Sequence, residues 1–278
     1  MTRIGILHPG EMGVSVAVTA LNSKHEVFWV NEGRSEKTRK RAQKHGLTPI
    51  TSLSSMCRTC KIIVSICPPH AAQDVAQSVI EAGFKGIYLD ANAISPQRAI
   101  RLGQLMNTAG IRFVDGGIIG GPAWNAQETW LYLSGKDADM IAAYFSEGPL
   151  ETSIIGDEIG RASALKMCYA AYSKGTTALL ATILSAAQTL GVRQELYEHW
   201  ERDDNGFPIQ VNNRVTHAIN KAWRFEGEMR EIAATFQEAG VPGGFHAAAA
   251  DVYHRMAKLQ TNETNLPLEQ LLTGIASK

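Results

Sequence analysis

The chain has 278 residues, with 27 basic and 27 acidic side chains and a 45% hydrophobic fraction. That length accommodates two domains, and the charge balance gives no general electrostatic reason to expect a nucleic acid or an anionic membrane as partner. No apolar run reaches the ~18 residues of a membrane span, and the chain opens on a strand-like segment rather than a signal-peptide core, so a cytoplasmic location is expected.

Taken in chain order, strands are predicted at 3–7, 26–30, 61–66, 86–89, 111–114, 130–133 and 153–155. Helical patterns at 12–22, 35–45, 71–82 and 96–109 separate the first five. Strand–helix alternation at this pitch implies βαβ units and a parallel sheet. Runs such as Ile62-Ile63-Val64 are apolar at consecutive positions, as in strands covered on both faces. From 159 to 190 a segment rich in Ala, Leu and Thr reads as one long buried helix closed by Gly191. Helices without strands are expected from there to the end. The predicted layout is an N-terminal α/β domain, 1–157, followed by an all-α domain, 158–278.

Four cysteines occur, two of them as Cys57-Arg-Thr-Cys60. The spacing suits a redox pair or half a zinc site, but no second ligand pair stands nearby, so no metal is expected. Two small residues in the turn before a strand is the favoured reading.

The first predicted strand runs into His8-Pro9-Gly10-Glu11-Met12-Gly13 and then a helix. Gly10 and Gly13 take the second and third glycine positions of a dinucleotide-binding G-x-G-x-x-G turn, and His8 stands at the first. Such a turn presents helix N-terminal amides to a pyrophosphate. Pro9 has no N–H to give, so the amides fall to Gly10, Glu11 and Met12. After the second strand, Glu32 argues for NAD, whereas Arg34, Ser35, Thr38 and Arg39 suit the 2′-phosphate of NADP. NADP is preferred and NAD stays possible. Two further strand ends, with Cys67, Pro68 and Asn92, are expected to face the same crevice, where a nicotinamide ribose would be held.

The motifs together resemble the β-hydroxyacid dehydrogenase family, whose members include 6-phosphogluconate and 3-hydroxyisobutyrate dehydrogenases. The strand-GxGxMG-helix motif appears as GILHPGEMG. The substrate loop D-x-x-x-S-G-G appears as Asp115 to Gly121, and G-x-x-x-x-x-K as Gly160 to Lys166. The resemblance implies a Rossmann-like domain followed by helices, with hydride transfer to or from a nicotinamide. It makes Lys166 the general acid/base and places Ile119, Gly120 and Gly121 at the substrate. A lysine beside an apolar helix surface in a closed interdomain cleft would be desolvated, which favours the neutral amine that proton transfer requires. Lys174, eight residues on, is a second candidate.

The departures are specific. Ile119 replaces the family's substrate-binding serine, Ala170 its asparagine, and Gly227-Glu228 its Lys-Asp pair. Asn92, Tyr169, Ser173, Glu228 and His246 are new polar candidates, with Tyr169 and Ser173 assigned to the substrate. The site is expected to be less polar than a small 3-hydroxy acid demands. Trp124 and Trp130 read either as pocket lining or as packing. An NADP-dependent carbonyl/alcohol oxidoreductase is the leading expectation. An imine reductase of the same fold and a non-catalytic NADPH-binding protein stay open. The family also implies subunit pairing through the helical domain, so the expected partners are a small-molecule substrate and a second copy of the chain.

Overall fold

The computed structural model describes residues 1–260 and 266–277, which form two compact units, Met1–Met167 and Cys168–Lys278. The helical expectation at 261–265 and 278 lies outside the described residues.

In the first unit eight strands form one sheet among the described residues. They are β1 (Arg3–Ile6), β2 (Glu26–Val30), β3 (Thr48–Ile50), β4 (Ile62–Ser65), β5 (Ile87–Asp90), β6 (Arg112–Ile119), β7 (Thr129–Ser134) and β8 (Leu150–Ile154). The order is β3-β2-β1-β4-β5-β6-β7-β8, and every pair is parallel except β6–β7. Helices α1 (Glu11–Asn22), α2 (Glu36–Lys44), α3 (Leu53–Thr59), α4 (Ala72–Glu81), α5 (Pro96–Thr108) and α6 (Ala138–Ala143) connect strands, and α7 (Arg161–Ala170) follows β8.

Two apolar clusters explain the continuous hydrophobic strands. One gathers Ile4, Ile6, Val14, Ala17, Trp29, Ile62 and Val64. The other gathers Met56, Ile63, Tyr88, Leu102 and Phe113. Ile62 and Val64 therefore serve one core and Ile63 the other, and each buried side chain of this size contributes about 1.5–3 kcal/mol.

Two expectations change here. Cys57 lies within α3 and Cys60 caps its end, rather than both lying in a turn. Burial pushes their thiols up to about 11 and about 12, which makes them packing residues rather than nucleophiles. The strand expected at 111–114 continues to Ile119, so most of the segment read as a substrate loop is sheet, paired antiparallel with β7 from Asp115↔Ser134 to Ile119↔Trp130. Its glycines serve close approach as well as turning. A Cβ on Gly117 would lie 2.5 Å from the Ala162 carbonyl oxygen of α7, and only Gly120 takes a left-handed φ, +125°.

The second unit contains α8 (Thr176–Thr189), α9 (Arg193–Asp203), α10 (Phe207–Ala218), α11 (Ala222–Glu238), α12 (Gly244–Lys258) and α13 (Leu268–Ala276). The single helix expected over 159–190 is instead α7, a π-turn at Ala171–Gly175, and α8. Side-chain donors occupy carbonyls of that turn. Arg214 Nη2 and Thr177 Oγ1 donate to the Ser173 carbonyl at 2.5 and 2.9 Å, and Tyr253 Oη donates to that of Lys174 at 2.8 Å. These tertiary bonds stabilise a wider turn than local sequence would choose.

Candidate active site

The candidate cofactor site is built from the end of β1. The Gly10 N–H donates to the His8 carbonyl at 2.8 Å, closing the turn, and α1 starts at the next residue. The Gly10 amide is thus engaged, which shifts the expected anion donors to the first turn of α1. Gly13 is required by contact: a Cβ there would stand 2.1 Å from the His8 carbonyl oxygen. In front of the helix the space is clear, since a Cβ on Gly10 would meet no heavy atom within 4 Å. The N-termini of α2 and α3 are capped by the hydroxyls of Ser35 and Ser52, whereas that of α1 has no side-chain cap. Its first-turn amides, Glu11 and Met12 among them, have no acceptor inside the helix. Met12 is also half-buried against the core.

Two buried nitrogens without a hydrogen-bond partner stand at the same place, His8 Nδ1 and Arg34 Nε. Arg34 Nη2 donates to the Leu7 carbonyl at 3.1 Å. Burial and the nearby Arg34 charge hold His8 down at about 4, and burial lowers Arg34 from its ordinary value. Neutral His8 beside charged Arg34, with unused donor capacity, fits a phosphate anion. Ser35 caps α2 by accepting from the Thr38 N–H at 3.3 Å, and its hydroxyl also meets Thr38 Oγ1 at 3.0 Å. Pro9 and Glu11 complete the turn, with Arg41 Nη1 donating to the Pro9 carbonyl at 3.4 Å.

The other strand ends hold a different arrangement from the expected ligand contacts. Asn92 is buried, and its side chain is committed within the protein. Its Oδ1 accepts from the Cys67 N–H at 2.6 Å, and its Nδ2 donates to Ser65 Oγ at 3.1 Å and Asp90 Oδ2 at 2.8 Å. Asn92 therefore ties the ends of β4 and β5 together, so that the loop of Cys67 and Pro68 keeps its shape, rather than presenting an amide to a ribose. Burial, reinforced by the neighbouring Asp115, pushes Asp90 up to about 7 against its bonds from Asn92. Burial likewise pushes the Cys67 thiol up to about 11.

Lys166 is positioned by Asp115. This buried carboxylate accepts from Ser134 Oγ at 3.1 Å, the Gly160 N–H at 2.9 Å, the Ser163 N–H at 3.0 Å and Ser163 Oγ at 2.6 Å. Ser134 Oγ in turn accepts from the Ala162 N–H at 3.1 Å. The sheet thus caps the first turn of α7, where a carboxylate is also favoured by the helix dipole. One turn further on, Lys166 Nζ donates to the Ile118 carbonyl, three residues beyond Asp115. Because Asp115 pairs with the last residue of β5, the amine lies past the carboxyl edge of the parallel strands. Ile119, Gly120 and Gly121 follow directly, and a Cβ on Gly121 would meet nothing within 4 Å.

The family model for the NAD-binding domain of 6-phosphogluconate dehydrogenase matches residues 3–144, and a domain of unknown function matches 187–256. An uncharacterized 28.5 kDa protein of Methanothermus fervidus is 32% identical over 232 residues, covering 83% of this chain and 89% of its own. The chain belongs to the β-hydroxyacid dehydrogenase-like family. Its members here include a solved conserved protein of unknown function, described as structurally similar to 3-hydroxyacid dehydrogenases. That protein is 30% identical, over 91% of this chain and 97% of its own, with a TM-score of 0.66. The fold is also that of Mycobacterium tuberculosis 3-hydroxyisobutyrate dehydrogenase, TM-score 0.72 over 100% of both chains at 16% identity.

Of the remaining expected residues, Tyr169, Ser173, Lys174, Glu228 and His246 lie in the second unit, and Trp124 and Trp130 in the first. Tyr169 is exposed, and Ser173 is half-buried in the π-turn with its carbonyl accepting from Arg214. Lys174 Nζ pairs with buried Glu228 at 2.9 Å, and Arg224 meets the same carboxylate at 3.1 Å. The Lys174–Glu228 pair joins residues far apart in the chain. His246 is buried against Phe236 and Phe245, and its Nδ1 has no hydrogen-bond partner. Trp130 lies within β7, while Trp124 is 45% exposed and stacks on His45.

Proposed function

We propose that this NAD(P)-dependent oxidoreductase passes hydride between NADPH and a carbonyl/alcohol pair, with Lys166 as general acid/base. The observation that supports this reading best is the delivery of Lys166 Nζ to the Ile118 carbonyl, beyond the carboxyl edge of the sheet, by a helix fastened to Asp115 and Ser134. The cofactor, when bound, supplies or receives hydride at its nicotinamide. The chain supplies the rest. First-turn amides of α1 and the guanidinium of Arg34 hold phosphate oxygens, and His8 stands beside them. Lys166 gives a proton to the carbonyl oxygen as the new C–H bond forms, or takes the hydroxyl proton in the reverse direction.

Arg34 with the Ser35 and Thr38 hydroxyls at the start of α2 favours the 2′-phosphate of NADPH over NADH. Ile119, standing where relatives carry a polar residue, favours a substrate with an apolar group beside its carbonyl. The functional form is a homodimer.

Steady-state assays with NADPH and NADH over aldehydes, ketones, hydroxy acids and imines test the reading. Turnover of a carbonyl compound with NADPH is expected. Lys166→Met should lower kcat by about 10²–10⁴-fold while NADPH affinity stays within about twofold. An unaffected kcat, or reduction of imines alone, would remove Lys166 from its role. Tight NADPH binding with no compound turned over would leave a binding protein.

A further inference from the structure

The chain is neutral as a whole, yet α2, Glu-Lys-Thr-Arg-Lys-Arg-Ala-Gln-Lys, places five cations and one acid in nine residues. Lys37, Lys40, Arg41, Lys44 and the following His45 fall at helical spacings that put them along one wall of a cavity of about 470 Å³. Lys37/Arg41 and Lys40/Lys44 are like-charged i, i+4 pairs, which destabilise an isolated helix. Among the described residues the one acidic contact these cations make is an exposed Lys40–Glu36 pair at 3.7 Å, and Lys37, Arg41 and Lys44 have no acidic partner. Glu11 is the one acid on the wall.

An aromatic ring adjoins these cations in the lining. Trp124 stacks on His45 with ring centroids 5.0 Å apart and 24° between planes, and nearly half of its surface is open. Its loop is held in place: the Ala123 N–H donates to Ser15 Oγ of α1 at 2.9 Å, and Thr129 Oγ1 donates to the Gly121 carbonyl at 2.8 Å. Trp124 is therefore a fixed platform beside a row of cations of which Lys40 alone has an acidic partner among the described residues.

We propose that this cavity, which adjoins the dinucleotide turn and shares Glu11 with it, is a second nucleotide site that takes a nucleoside di- or triphosphate. The base stacks on Trp124, and the phosphates lie along Lys37, Lys40, Arg41 and Lys44. A ring face and several closely spaced cations match a base joined to a polyphosphate. The volume is that of a small-molecule pocket, and the balanced charge of the whole chain favours a mononucleotide over a nucleic acid strand.

The test is titration of ADP into the full-length protein kept saturated with NADPH, read by tryptophan fluorescence and calorimetry. Saturation closes the dinucleotide site, so ADP binding seen there belongs to the second cavity. Lys40→Gln/Lys44→Gln should weaken ADP by about tenfold or more, and Trp124→Leu should weaken ADP more than tripolyphosphate. NADPH affinity should stay within about twofold in both variants, which also reports that they fold. ADP binding that disappears when NADPH is present would overturn the proposal, as would ADP affinity indifferent to both variants. A single-stranded oligonucleotide bound far more tightly than ADP would assign the surface to nucleic acid and overturn it as well. None of these outcomes depends on whether the enzyme turns over a carbonyl.

Discussion

At the residue scale, His8 and Asp90 carry opposite pH dependences over nearly the same range. His8 is held at about 4 in the folded protein against an ordinary 6.5. Between those values the unfolded chain binds the extra proton, so this contribution is intact above pH 6.5 and is lost as pH falls toward 4, by about 3 kcal/mol. Asp90 is raised from 3.8 to about 7, so its contribution is intact below pH 4 and is lost as pH rises through 7. In the wild type the two slopes oppose each other. Relative to wild type, His8→Gln should gain stability as the pH drops from 7 to 4, and Asp90→Asn should lose its advantage over the same interval. Urea midpoints at pH 4.5 and 7 measure this; parallel profiles for all three proteins would remove both assignments. The sequence made the His8 position visible because the turn has fixed spacing. It did not reveal that Asn92 points inward, because that depends on Ser65, Cys67 and Asp90 meeting across two strands. Polar residues at the ends of apolar strands were the available signal.

At the element scale, α7 is a short helix whose first turn is capped from the sheet rather than from its own sequence. Asp115→Asn keeps the shape but removes the charge that several N–H and O–H donors share. It should cost about 2–3 kcal/mol, since hydrogen bonds to a charged group are stronger than neutral ones. If Asp115 positions Lys166, kcat should fall while NADPH affinity and the pH profile of the remaining activity are retained. A stability loss with wild-type kcat would confine Asp115 to folding. The long strands and helices of the first unit were legible because their hydrophobic period is consistent over many residues. Three short elements were not. β3 is a three-residue strand containing Pro49, α3 is rich in Ser, Thr and Cys, and α6 spans only six residues. The π-turn inside the predicted long helix was hidden too, because Arg214 and Tyr253, which sustain it, lie far along the chain.

At the scale of the whole molecule, the second unit carries large apolar side chains open to solvent. Leu190 is 75% exposed, Tyr172 68% and Ile209 65%, on a unit whose interior is otherwise well filled by Ala, Leu and Val. Scattered exposed apolar residues are ordinary, but several large ones on one small helical unit suit a partner surface. A homodimer provides that partner without another protein, and a stable one buries about 1,600 Å² in total. Light scattering after size exclusion at micromolar concentration should return twice the mass of one chain. Covering one leucine-sized side chain contributes about 1.5–3 kcal/mol, so Leu190→Glu together with Ile209→Lys should shift the protein to monomer at the same concentration. NADPH binding should persist in that monomer, because the dinucleotide turn is built from the first unit alone. A wild-type monomer would remove the pairing, whereas a dimer unmoved by both substitutions would place its contact on another face.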